Sequence, residues 1–526
     1  MSSKLPIGIQ SFEKLRTEDY VYIDKTALLY DLVRKGGYYF ISRPRRFGKS
    51  LLVSTVHAYF EGRKDLFQGL AIEQMEKEWQ SYPVLHIDLN VGEYALREVL
   101  SEKLTYILSD FERQYGLTSE LSGIAGRFEN LIKGVAQSTG KQVVILIDEY
   151  EKPLLESIEQ PDLQEQYRVI LQSFYTALKS CDPYIHFVLL TGVTRFGKLS
   201  IFSGLNNLKD ISMSDEFSAI CGITEEELRQ FFTEEIEELA QKNGMTIDEA
   251  LAEIKLRYDG YRFSRKAQCV YNPFSLLNNF SDKDFRNYWF ATGTPTYLIH
   301  LLRRDDYELG KLMGDVISSE DRLGNIGMAG SVNSIAALYQ SGYLTLKDYD
   351  ASSRMYRLGI PNKEVEEGFL NALLPFYSGI SDAKIDSVMY DLRRSIDKGQ
   401  VDEFMRQLKS ILAGIPYESD KNVELNYRNL LFLVFTLLGC KPQLERPVSS
   451  GRIDLVLERS DFVYVFEFKL DKDAETALGQ IENKHYTDAY TTDKRQVLKI
   501  GVNFSEKLKN IEDWKVVTME EIKMSV

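Results

Sequence analysis

Over the first 215 residues, short runs that are apolar throughout alternate with longer stretches in which apolar residues recur every three or four positions. Tyr38–Ser42, Val84–Leu89, Val143–Ile147 and His186–Leu190 are the short runs and predict strands. Lys49–Phe60 carries Leu51, Leu52, Val56, Tyr59 and Phe60 at helical spacing, and Leu163–Cys181 and Ala27–Val33 read as helices too. Strands and helices in alternation predict a parallel sheet covered by helices on both faces, an α/β fold. Val143-Val144-Ile145-Leu146-Ile147 has no polar position to turn toward water and belongs at the centre of that sheet.

From 216 to about 312 the pattern is helical. Thr224 has the form of an N-cap, and Glu225, Glu226 and Glu227 follow it in the first turn, where they suit the positive end of the helix dipole. Tyr258-Asp259-Gly260-Tyr261-Arg262-Phe263 reads as an aromatic turn. A helix bearing Ile335, Leu338 and Tyr339 then leads into Ser341-Gly342-Tyr343-Leu344-Thr345 and a strand pair, which predicts a small winged-helix-like unit, with connecting helices over 366–420. The last stretch holds a helix Val423–Leu438, strands Arg452–Leu457 and Phe462–Lys469, a helix Ala474–His485 and a last strand Val497–Val502. The expected division is a core at 1–215, a helical lid at 216–312, a winged-helix-like and helical connector at 313–420 and a separate small α/β domain at 421–526.

The first candidate chemistry lies between the strand Tyr38–Ser42 and the helix Lys49–Phe60. Arg43-Pro44-Arg45-Arg46-Phe47-Gly48-Lys49-Ser50 ends as a phosphate-binding P-loop ends. Backbone N–H groups over Arg46, Phe47 and Gly48 and the helix N-terminus suit an anion, Lys49 reaches the β- and γ-phosphates, and Ser50 is placed to ligate Mg²⁺. Arg43 stands where the usual pattern has its first glycine. A fortuitous Gly-Lys-Ser is the plain alternative, and the order strand, loop, helix speaks against it. Asp148-Glu149 directly follows the apolar strand Val143–Ile147 in the manner of a Walker B motif: Asp148 for the magnesium shell, Glu149 to polarise water. Parallel sheets bind ligands at their carboxyl ends, so Asp148 and Lys49 are expected to converge there. The strand His186–Leu190 runs into Thr191-Gly192-Val193-Thr194-Arg195-Phe196. Thr194, before Thr191, is the candidate to sense a γ-phosphate or orient water; the alternative is that these are ordinary loop residues. Arg195 is open to a phosphate or to a neighbouring segment, and Arg262 to an approach from the lid.

These segments, together with Leu5-Pro6-Ile7-Gly8, Tyr22-Ile23-Asp24-Lys25-Thr26 and Leu205-Asn206-Asn207-Leu208, resemble the bacterial and archaeal AAA-ATPase-like proteins that carry a C-terminal PD-(D/E)XK nuclease-like domain. Arginine in place of the first P-loop glycine is typical of that family. The resemblance implies an AAA-type P-loop NTPase core with a helical lid, ATP and Mg²⁺ as cofactors, and a position near the nucleotide base or the P-loop for Asp24, Lys25 and Thr26.

A second constellation lies near the C-terminal end. Asp454 opens a strand in Gly451-Arg452-Ile453-Asp454-Leu455, and Glu467-Phe468-Lys469 closes the next. Residues two apart on a strand share a face, so Glu467 and Lys469 project together, and a hairpin brings Asp454 beside them. Asp454 and Glu467 can bind Mg²⁺ through oxygen, and Lys469 can orient water or stabilise charge at phosphorus. Glu424 on the preceding helix can extend the metal shell, and Gln480 and Tyr486 accompany the following helix. Helix, Asp, Glu-x-Lys and Gln480-Ile481-x-x-Lys484 in this order resemble the PD-(D/E)XK core, which implies metal-dependent action on nucleic acid. Arg452-Ile453-Asp454 replaces the eponymous Pro-Asp and leaves the acid in place.

Composition narrows these readings. A length of 526 residues points to about three or four domains. A net charge of −14 argues against a protein that coats duplex nucleic acid, but not against a local basic cleft. The four cysteines have no metal-ligand spacing, no apolar run approaches the ~20 residues of a membrane span, and Met-Ser-Ser-Lys-Leu-Pro carries no signal-peptide region, which together predict a reduced, cytoplasmic protein. AAA proteins often act as rings, which allows a homo-oligomer. Two functions compete, ahead of a non-catalytic interaction scaffold: an ATP-hydrolysing protein coupled to a Mg²⁺-dependent nuclease, and a nucleotide-controlled switch or binding module of the STAND type with a non-cleaving nuclease-like domain. The intact Asp454, Glu467 and Lys469 favour the first.

Overall fold

The computed structural model describes residues 4–519 apart from 91, 93, 95, 119–120, 122, 196–200, 203–204, 206, 291–295, 328–331, 415–422, 440–445, 449–450, 454 and 506, and apart from the side chains of 423, 424, 446–448 and 451–453. The chain divides into two units, Met1–Gly293 with Lys311–Glu366, and Thr294–Gly310 with Glu367–Val526.

The first unit is built on a parallel sheet of β1 (Gly37–Ser42), β2 (Val84–Asp88), β3 (Val143–Asp148), β4 (Ile185–Gly192) and β5 (Leu208–Asp210) in the order β2-β3-β4-β1-β5. β3 is buried at every position, as its unbroken apolar run requires. Helices cover both faces. Phe60, from the helix Lys49–Phe60, packs on Phe187, which also meets Tyr39. On the other face Tyr38 donates to the Leu178 carbonyl of the helix Pro161–Ser180. β4 lies between β1 and β3, so the three strand ends that carry the sequence motifs are neighbours.

The helical segment that follows opens with a capping box: Thr224 accepts from the Glu227 amide at 3.2 Å and Glu227 accepts from the Thr224 amide at 2.8 Å. Its core holds Leu228, Phe232, Leu239, Ile254 and Phe280, with Leu5, Ile7, Val21 and Ile23 packed against it. A three-stranded sheet of β6 (Val316–Ser319), β7 (Thr345–Asp350) and β8 (Met355–Gly359), in the order β6-β8-β7, accompanies the helix Ser334–Ser341. β6 is one strand more than the expected hairpin.

In the second unit, β9 (Arg446–Val448) pairs with β10 (Gly451–Ile453). A four-stranded sheet runs β11 (Leu455–Glu458), β12 (Phe462–Leu470), β13 (Gln496–Ser505) and β14 (Asn510–Thr518), with β12 and β13 parallel and the outer pairs antiparallel. Two expectations are corrected here. The strand expected over Arg452–Leu457 is split between two sheets, because β9 and β10 are close in sequence and a local hairpin costs little loop-closure entropy. Val497–Val502 is not in the last strand: β14 follows it, an edge strand whose mostly polar, half-exposed residues hide it from an apolar-run reading. One face of the sheet carries Val456, Val463, Val465 and Val497 beneath Leu478 and Ile481 of the helix Ala474–Asn483. On the other, Phe466 meets Phe435 of the helix Val423–Leu437 at 5.7 Å.

Candidate functional sites

Gly48, in a left-handed conformation at φ +87°, precedes the helix of Lys49. Arg46 (φ +68°) and Glu149 (φ +53°) are also left-handed, an uncommon conformation for residues with a side chain, and both lie in the motif loops. The Lys49 ammonium is buried, donates to the carbonyls of Arg43 at 3.1 Å and Pro44 at 3.3 Å, and lies 3.3 Å from the Glu149 carboxylate. Asp148, at the end of β3, accepts from the Thr191 hydroxyl and from the Glu149 amide. Lys49, Asp148, Glu149 and Thr191 are thus joined across the ends of β1, β3 and β4. Ser50 is half-buried on the first turn of the helix.

The side chains of the remaining P-loop candidates turn elsewhere. Arg46 is exposed, with its guanidinium 4.8 Å from the Phe274 ring, and Phe47 is buried edge-on to Tyr261 and Phe263 at 4.8 and 5.5 Å. The Phe47 ring leaves only its backbone N–H for a phosphate. Arg43 is turned inward. It donates to the carbonyls of Ser42 and Ser212, both at 2.8 Å, of Phe217 at 3.2 Å and of Ser218 at 3.4 Å, and its guanidinium lies 4.1 Å from the Phe263 ring. Burial lowers its pKa. The residue that departs from the usual motif is a brace between the P-loop and the 212–218 segment.

Thr194 is buried, and its hydroxyl has no hydrogen-bond partner among the described residues, while the Thr191 hydroxyl donates to Asp148. The Thr194 backbone is held by Glu151, a residue the motif reading did not single out. The fully buried Glu151 carboxylate accepts from the amides of Val193 and, at 2.9 Å, Thr194. A Cβ at Gly192 would come within 2.2 Å of that carboxylate, so any side chain there would force Glu151 out of this position. Burial, with the Glu149 carboxylate adding, pushes the Glu151 carboxyl up to about 8; the amide donors act in the opposite sense. The sequence signal is a third acid two positions after the Walker pair, which alone looks like a polar turn.

Asp24 accepts from the Thr26 amide (2.8 Å) and hydroxyl (2.6 Å) and from the Ala71 amide at 2.7 Å; these partners lie on the flanking helices, not on the P-loop. Lys25 pairs with Glu227 of the lid at 2.6 Å, and burial lowers its pKa against the pull of that carboxylate. Arg195 is paired with Asp210 and its amide donates to Gln340 at 2.6 Å. Arg262 donates to the carbonyls of Lys347 and Arg265. Both arginines are committed to neighbouring segments.

In the second unit Glu467 is buried on β12 and accepts from the Lys469 ammonium at 2.7 Å, so the two share a face as their spacing requires. It is the face of Val463 and Val465, beneath the helix Ala474–Asn483. Gln480 on that helix donates to the Tyr486 hydroxyl at 3.3 Å. Lys499 of β13, which the sequence reading passed over, is buried and pairs with Glu482 at 2.6 Å. Asp454 and the Glu424 side chain lie outside the described residues; Leu455, next to Asp454, is paired with Phe466, next to Glu467. Among the described residues no group of three or more His, Cys, Asp and Glu side chains is arranged to hold a metal ion, and no helix is long and apolar enough to cross a membrane.

Residues 6–202 match the family described as predicted AAA-ATPase, and residues 422–514 match the PD-(D/E)XK nuclease superfamily. The chain is also 35% identical over 520 residues to an uncharacterized protein in the vnfD 5' region of Azotobacter chroococcum mcd 1, covering 97% of this chain and 98% of that one.

Proposed function

This chain belongs to the predicted AAA-ATPase family whose members carry a C-terminal PD-(D/E)XK nuclease-superfamily domain, and from that premise we propose that it binds and hydrolyses ATP and couples this to Mg²⁺-dependent cleavage of nucleic acid. The observation that carries the ATPase half is the Lys49–Glu149 pair at 3.3 Å beside the Asp148–Thr191 bond. A triphosphate offers Lys49 a stronger anionic partner than one carboxylate. Its arrival draws the ammonium away and leaves Glu149 to accept a hydrogen bond from the attacking water and orient it. Backbone N–H groups of Arg46, Phe47, Gly48 and Lys49 take phosphate oxygens. Thr194, its buried hydroxyl still to be satisfied, is suited to the γ-phosphate or the water.

Ser50 and Asp148 supply the oxygen donors that Mg²⁺ prefers, and they would hold it. When bound, that ion neutralises charge on the phosphate oxygens. Supporting the nuclease half is the Glu467–Lys469 pair on the face of Val463 and Val465, beneath the helix Ala474–Asn483 that also bears Gln480. We assign Asp454 and Glu467 to a divalent ion, Lys469 to the water or the developing charge, and Gln480 to orienting the phosphodiester. The domain division 1–215, 216–312, 313–420 and 421–526 goes with this reading.

The test measures nucleotide binding, ATP turnover and Mg²⁺-dependent cleavage of single- and double-stranded DNA and RNA, with and without ATP. Lys49→Ala is expected to lower ATP binding or turnover at least tenfold, about 1.4 kcal/mol. Unchanged ATP binding and hydrolysis in that variant would overturn the P-loop assignment. Turnover without cleavage of any substrate would hand the C-terminal domain to the switch reading.

A further inference from the structure

The P-loop is tied from behind to the root of one particular helix. The Trp289 indole N–H donates to the Arg45 carbonyl, in the middle of the P-loop, at 3.1 Å. The Trp289 backbone N–H donates at 2.7 Å to Glu364, whose side chain is fully buried. Glu364 is the second residue of the helix Lys363–Ser378, and from Glu367 onward that helix is counted with the second unit.

A second route runs in parallel. Phe47 of the P-loop meets Tyr261 edge-on at 4.8 Å. The turn that carries Tyr261 presses on the residues just before the helix: the Asn362 amide group donates to the Asp259 carbonyl at 2.8 Å, and a Cβ on Gly260 (φ +100°) would come within 2.2 Å of the Pro361 carbonyl oxygen. Lys347 of β7 donates to that same carbonyl at 3.2 Å. Asn362 also caps the helix, accepting from the Val365 amide at 3.1 Å. Trp289, Glu364, Phe47, Tyr261, Asp259 and Asn362 are all buried, and directional bonds and ring contacts join them, so a shift of the P-loop backbone is passed on through one route or the other.

We propose that Trp289, Glu364 and Asn362 are positioning residues that couple nucleotide occupancy of the P-loop to the root of the helix leading into the nuclease-like unit. The proposal rests on the P-loop reading of the previous subsection. Nucleotide closing the P-loop around its phosphates moves the Arg45 carbonyl and the Phe47 ring, and the helix root follows through Trp289 and the 259–261 turn. Coupling of this kind is reciprocal. If nucleotide changes the opening equilibrium of the helix root, then a substitution that biases the root, with no contact to nucleotide, changes nucleotide affinity by up to the same factor.

The experiment is amide hydrogen exchange over Lys363–Glu366 in the full-length protein, free and saturated with ADP or a slowly hydrolysed ATP analogue, alongside nucleotide Kd. Trp289→Phe keeps the ring and deletes the donor to Arg45; Asn362→Ala cuts the second route. In the parent, nucleotide slows exchange at the helix root. Each variant is expected to retain a cooperative melting transition, to lose at least half of that response, and to bind nucleotide three- to tenfold more weakly. If Trp289→Phe fails to fold, Asn362→Ala decides alone. A parent that binds nucleotide with no change at Lys363–Glu366, or variants that keep the full response and the parental Kd, would overturn the coupling. A parent that binds no nucleotide overturns the P-loop reading instead, a separate outcome.

Discussion

Replacing Arg43 by glycine would restore the usual first residue of a P-loop, and the structure predicts that it does harm. Arg43 does not have a positive φ, so nothing in the backbone calls for glycine there. Its guanidinium supplies four hydrogen bonds to the carbonyls of Ser42, Ser212, Phe217 and Ser218 and stacks on Phe263. Removing it strands buried carbonyls, at about 1–3 kcal/mol each where water does not reach them. The ring contact adds about 0.5–2 kcal/mol. Two effects offset this. The parent carries the cost of burying a guanidinium, several kcal/mol, and the small cavity of about 20 Å³ beside Ser42, Arg43 and Ser212 can admit water to some of the carbonyls once the side chain is gone. The balance is a loss of about 3 kcal/mol, the cost of one or two carbonyls left unsatisfied. Arg43→Gly and Arg43→Ala are to be melted and unfolded in urea beside the parent, and their nucleotide Kd measured. Both should lose several degrees in Tm, with glycine the worse because it adds backbone freedom. Variants that melt within a degree of the parent and bind nucleotide as tightly would refute the bracing role, and Arg43 would have to be reassigned toward the ligand.

Glu149→Gln is expected to keep nucleotide binding within about threefold and to lower turnover at least a hundredfold, since it acts on water; parallel loss of both would make it a structural residue. Alanine at Asp454 or Glu467 is expected to abolish Mg²⁺-dependent cleavage and leave ATP turnover within twofold, while Lys469→Ala slows cleavage with metal affinity retained; isothermal titration with Mg²⁺ separates the two. Glu151 makes a pH prediction. Its carboxyl titrates near 8 in the folded chain and near roughly 4.3 in the unfolded one. The folded state therefore binds the extra proton between those values, and stability from this group falls as pH rises through that window and levels off above about 8. Glu151→Gln should flatten the decline in Tm between pH 5 and 8, leaving the smaller slope due to Glu364, which burial pushes up to about 7; an unchanged slope would mean that Glu151 is ionised in the fold.

The sequence by itself determined the elements whose signal is local. The strand Val143–Asp148, the helix Lys49–Phe60 and the glycine before it follow from apolar period and turn chemistry within a dozen residues, and so does the shared face of Glu467 and Lys469, because a strand alternates whatever it pairs with. Only the tertiary structure decided the partners. That β4 ends between β1 and β3 agrees with the motif reading, but that Thr191 rather than Thr194 is the threonine bonded to Asp148 depends on how the two strand ends meet. Arg43 and Arg46 are three apart in one basic loop, yet one turns into the core and the other out over Phe274, because the Ser212, Phe217 and Ser218 carbonyls that claim Arg43 lie some 170 residues away in the chain. Glu151 and β14 were hidden for the same reason: a charged residue or a polar edge strand is buried or paired only by what folds against it, and that neighbour is distant in sequence.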